Sequence, residues 1–83
     1  MYIVKVKTVV TPEARALAPA RIMPLLEAGA KWQACVIRYG SLEAAEAMIK
    51  RRLSVPDRFG CLRQWRIFKL EGRKQVLVKE IGE

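Results

Sequence analysis

The sequence contains no histidine. That absence excludes Ser-His and Cys-His dyads, imidazole metal ligation and a histidine pH switch. Cysteine is scarce: Cys35 and Cys61 form no CxxC pair and are too few for a four-cysteine zinc site. One disulfide between them is formally open, but two reduced thiols packed as small hydrophobes is the simpler reading. Neither GxGxxG nor a Walker-type GxxxxGK occurs, so no glycine-rich loop cradles a phosphate. No apolar run approaches the roughly 20 residues of a membrane span. Lysines interrupt the N-terminal stretch Met-Tyr-Ile-Val-Lys-Val-Lys, which therefore lacks a signal-peptide core, and a cytoplasmic setting is expected. Carboxylates are scattered. Glu43 and Glu46 lie near a helix start, where they read as dipole-complementing charges, not as an acid/base pair or a metal site. The chain is thus expected to be non-catalytic and to need no cofactor and no metal.

The 83 residues suffice for one small globular domain, residues 1–83, with 52% hydrophobic and 29% charged side chains. A chain of this size buries only roughly 60–65% of its unfolded surface. From Tyr2 to Val10 the pattern alternates, with Tyr2, Val4 and Val6 on one side and Lys5 and Lys7 on the other: a strand with one wet face. Thr11-Pro12-Glu13 is a helix start, with Thr as N-cap and Pro at the first helical position. Pro19 and Pro24 divide the segment from Pro12 to Ala28 into two short helical pieces that break near Ala18 to Ala20 and stop at Gly29. Lys31 to Tyr39 reads as a second strand, apolar on both faces and therefore interior to the sheet. Ser41 caps the clearest helix, 42–53, whose stripe of Leu42, Ala45, Met48, Ile49 and Leu53 has helical spacing. Within it Glu46 can reach Lys50 one turn on. After a loop at Ser54 to Gly60, Cys61 to Leu70 forms a third strand. Glu71-Gly72-Arg73-Lys74 then turns the chain into a fourth, Gln75 to Ile81. The fold class expected is α/β, an α+β two-layer arrangement: about four strands, with the helix 42–53 and the proline-broken segment 12–28 packed on one face.

Positive charge is concentrated in one window. From Lys50 to Lys74 there are nine basic and two acidic residues, a net +7 of the chain's +8. Phe59, Trp65 and Phe68 are interleaved with them. Arginine meets phosphate or carboxylate with a bidentate fork, and aromatic faces stack on exposed bases. The candidate binding residues are therefore Lys50, Arg51, Arg52, Arg58, Phe59, Arg63, Trp65, Arg66, Arg73 and Lys74.

Each has a structural alternative. Lys50, Arg51 and Arg52 end a helix and offset its dipole. Phe59 can tuck beneath its loop. Strand alternation places Arg63 with Trp65 but Arg66 with Phe68 on the other face, so one aromatic belongs to the core. Lys69, Arg73 and Lys74 can simply keep an edge strand soluble. RNA-binding strand signatures and a KH-type GxxG loop are absent, and a helix-turn-helix lacks its second good helix. The expectation is a non-catalytic module whose basic surface engages nucleic acid or another polyanion, mainly electrostatically. The rival is a small adaptor or inhibitor that docks on an acidic protein surface or adds a strand to another sheet. Homodimerisation through the last strand is compatible with either. The helix 42–53 commits its apolar stripe to the core, so no membrane partner is expected.

Overall fold

In a computed structural model, which describes residues 1–82, the chain forms seven elements. They are β1 (Tyr2–Val9), α1 (Pro12–Leu17), α2 (Met23–Ala28), β2 (Gln33–Ala34), α3 (Leu42–Leu53), β3 (Leu62–Glu71) and β4 (Lys74–Gly82). The strands make one antiparallel sheet in the order β2-β1-β3-β4, an α+β fold.

The helices end where local chemistry demands. Thr11 Oγ1 accepts a hydrogen bond from Ala14 N at 3.1 Å, and Pro12 occupies the first turn of α1. Gly29 stops α2. Ser41 Oγ accepts from Ala44 N at 3.2 Å and opens α3 over the expected span. Gly72, at φ 62°, makes the β3–β4 turn.

Register decides what becomes core. Val4 lies opposite Ile67, and Val6 opposite Trp65. With Ala45 and Ile49 of α3, the residues Val4, Trp65 and Ile67 form the central buried cluster. Because side chains alternate across a strand, Ile3, Lys5, Lys7, Arg66 and Phe68 all belong to the opposite face, which α3 leaves open. Glu46 does not turn to Lys50. Its carboxylate accepts from Lys79 Nζ at 3.0 Å, tying α3 to β4.

The segment 12–28 sits at the end of the sheet where β1 finishes and β3 begins. Thr8 N donates to Gly29 O at 2.8 Å, and Thr11 Oγ1 donates to Gly60 O at 3.0 Å.

The second strand departs from expectation. Only Gln33–Ala34 pairs with β1, followed by an isolated bridge between Tyr39 and Tyr2. The strand is an edge, not an interior one. Its two apolar faces imitate a buried strand in sequence, yet Val36 is 97% and Ile37 63% exposed. These side chains leave the ladder and line a cleft instead. The interior strands are β1 and β3, which carry polar residues because an antiparallel sheet covered on one side keeps a wet face.

Candidate nucleic-acid interface

The open sheet face gathers cations and rings from β1, β3 and the approach to β2. Lys5 Nζ lies 4.9 Å from the centroid of the Phe68 ring. Trp32, just before β2, reaches across β1: Lys7 Nζ is 5.3 Å and the Arg66 guanidinium 4.3 Å from its ring centroid. Such contacts attract a cation to the negative face of the ring. Arg66 Nε also donates to Glu80 Oε1 of β4 at 2.9 Å. Trp32, Gln64, Arg66 and Glu80 line a groove of about 340 Å³. Trp32, Phe68, Lys5, Lys7 and Arg66 are all half-buried, so the rings are anchored yet reachable.

The ten residues singled out by charge and composition divide among several places. Arg66 alone belongs to the open face. Arg51, Arg52 and Arg63 line a separate cleft on the α3 side. Lys50 is exposed in the last turn of α3. Arg73 and Lys74 are exposed at the β3–β4 turn. Arg58 and Phe59 sit in the loop before β3, the guanidinium 5.6 Å from the ring centroid, with Phe59 half-buried. Trp65 is 4% exposed beneath α3, so its ring cannot stack on a base. Its indole Nε1 is buried without a hydrogen-bond partner. The cations of the 50–74 window thus do not converge on one surface, because strand alternation sends Arg63 and Arg66 to opposite sides.

Carboxylates temper part of this charge. Arg63 lies 3.4 Å from Asp57, Arg66 2.9 Å from Glu80 and Lys69 4.0 Å from Glu71. The Arg66–Glu80 and Lys69–Glu71 pairs are exposed and worth only about 0–1 kcal/mol each, whereas Arg63–Asp57 is part-buried. Among the described residues Lys50, Arg51 and Arg52 form no ion pair. No group of three or more metal-ligating side chains occurs among the described residues. Both cysteines are free, and burial pushes each thiol pKa up.

Lys5, Lys7 and Trp32 lie outside the basic window and are not singled out by it. The signal for the lysines is nonetheless in the sequence: they share the wet side of β1, as Arg66 and Phe68 share one side of β3. Joining the two pairs requires the β1–β3 register. Trp32 gives no comparable signal, since its reach across β1 is a tertiary contact.

No helix among the described residues is long and apolar enough to cross a membrane. No family model, no curated protein and no solved structure matches the chain.

Proposed function

We propose that the protein is a non-catalytic module that binds single-stranded nucleic acid on its open sheet face. The observation that carries this reading is the convergence of Trp32 and Phe68 with Lys5, Lys7 and Arg66 across β1, β3 and the start of β2. Bases join or displace the cations on the two rings, and the released lysines and arginine meet phosphates. A net charge of +8 adds long-range attraction with little sequence preference.

Fluorescence polarisation with a labelled oligothymidylate, repeated over a salt series, tests the reading. Affinity should fall steeply with salt. Trp32→Ala should weaken binding by about 1–3 kcal/mol, the usual worth of one base–aromatic stack. Lys5→Ala with Lys7→Ala should flatten the salt dependence, whereas Arg58→Ala should have little effect. No binding at low salt, or full binding by Trp32→Ala and Arg66→Ala together, would refute it.

A second reading has one specific support. β4 is a nine-residue edge strand on which Val76, Leu77 and Val78 are 42–46% exposed. Unpaired backbone beside apolar side chains suits strand addition to a protein partner or a second copy. A stoichiometric protein captured from nuclease-treated extract, and lost with Val78→Lys, would favour this alternative.

A further inference from the structure

On the other side of the sheet a cleft of about 750 Å³ opens between α3, the ends of β1 and β3, and the segment after β2. The volume lies within the ordinary range for small-molecule sites. Its charge has one sign: Arg51 and Arg52 come from the last turn of α3 and Arg63 from β3, and no carboxylate lines it. The rest of the wall is largely apolar. Val6 and Met48 contribute from the sheet and the helix, while Val36 and Ile37 stand almost bare, at 97% and 63% exposure. Two exposed guanidiniums, a third paired with Asp57, and an uncovered aliphatic lip thus share one cleft. Val36 and Ile37 leave apolar surface unburied at the lip, and Arg51 and Arg52 form no ion pair among the described residues.

We infer that this cleft binds an amphipathic anion, with a carboxylate or phosphate head on Arg51, Arg52 and Arg63 and an aliphatic tail along Val6, Val36 and Met48. The planar guanidinium fork matches either oxyanion, and the tail covers surface that the fold leaves in water. Asp57, in the loop before β3, lies 3.4 Å from Arg63 and restrains that guanidinium. The site is separate from the open sheet face, so the inference does not depend on the nucleic-acid reading.

Two side chains report occupancy, and only their joint response localises it. Trp65 borders both this cleft and the smaller groove, and Trp32→Phe leaves it as the single tryptophan. Cys35 also lines the cleft and is half-buried, whereas Cys61 is 3% exposed. In the Trp32→Phe protein, 12-bromododecanoate should quench Trp65 emission, and dodecanoate, which carries no leaving group, should slow alkylation of Cys35 several-fold. The neutral 12-bromododecanol should bind about tenfold more weakly or worse, as should the acid to Arg51→Gln/Arg52→Gln. Competition by dodecyl phosphate against dodecanoate ranks the two heads.

Both arginines are exposed, so the double variant should keep the parental thermal midpoint. If it fails to fold, Val36→Asp, which sets a negative charge on the exposed lip, should weaken the acid instead. Oligothymidylate should not displace the acid. Absence of quenching and of Cys35 protection, equal affinity for acid and alcohol, or undiminished binding by the arginine or Val36 variants would overturn the proposal.

Discussion

Asp57 shows how much one side chain can organise. Its Oδ2 accepts from Phe59 N at 3.0 Å and from Cys61 N at 2.9 Å, and its Oδ1 accepts from Arg63 at 3.4 Å. The loop into β3 therefore owes its shape to one carboxylate that satisfies two backbone donors. Asp57→Ala should cost about 1–3 kcal/mol in denaturant unfolding, the penalty for stranding partly buried N–H groups. Asp57→Asn keeps an acceptor and should cost less.

The same carboxylate bears on Cys61. Burial raises that thiol's pKa above its ordinary value of 9.0, and the neighbouring Asp57 charge raises it further. A pKa higher in the folded than in the unfolded chain means that the thiol's contribution to stability is whole below the ordinary value. It fades as pH climbs past that value towards the folded pKa. The thermal midpoint should therefore drop above pH 9 more steeply in the parent than in Cys61→Ala, whatever the starting stability of the variant. Glu80 makes the matching point on the open face. Its bond to Arg66 restrains a cation that the proposed ligand would use, so Glu80→Gln should tighten oligothymidylate binding.

At the scale of elements, capping explains why α1 persists beside a proline-broken sequence. α1 has six residues, too few to stand alone. It is held because Thr11 Oγ1 both accepts from Ala14 N and donates to Gly60 O, joining the helix to the loop before β3. α3 rests on burial of Ala45 and Ile49 as well as on its Ser41 cap. Ser41→Ala should lower stability by about 1 kcal/mol, read as a shift in the denaturant midpoint. β4 pairs on one side only, with β3. All of Lys74 to Glu80 is exposed, and the ladder to β3 shifts register at Ile67/Phe68. Lys79 Nζ ties the strand back to Glu46 of α3, while its outer edge stays unpaired and open to strand addition.

For the whole molecule, shape and charge act together. The Cα radius of gyration is 14.0 Å, against about 12 Å for a compact domain of this length. The extents of 43 × 25 × 17 Å describe a slab, a sheet with a helix against one side. Among the described residues only eight apolar side chains are buried. Such a molecule has little stability in reserve, and a charge of +8 adds self-repulsion. Salt should therefore act with opposite signs on folding and on binding. Raising it from low to physiological strength should lift the thermal midpoint while weakening oligothymidylate affinity.

The amino-acid sequence alone determined the local features: the caps at Thr11 and Ser41, the break between α1 and α2, the full span of α3, the β3–β4 turn at Gly72, and the opposed directions of Arg63 and Arg66. Each depends on neighbours a few residues away, where backbone geometry and side-chain period are strict. Tertiary structure decided the rest. It made the segment after Lys31 an edge that leaves the ladder, because apolar alternation does not reveal whether a neighbouring strand exists on either side. It brought Lys5 and Lys7 beside Phe68 and Arg66, laid Trp32 over β1, and sent Arg51, Arg52 and Arg63 to a different cleft. Closeness along the chain measures where charge is counted. Strand register and the single helix-covered face determine which charges share a surface.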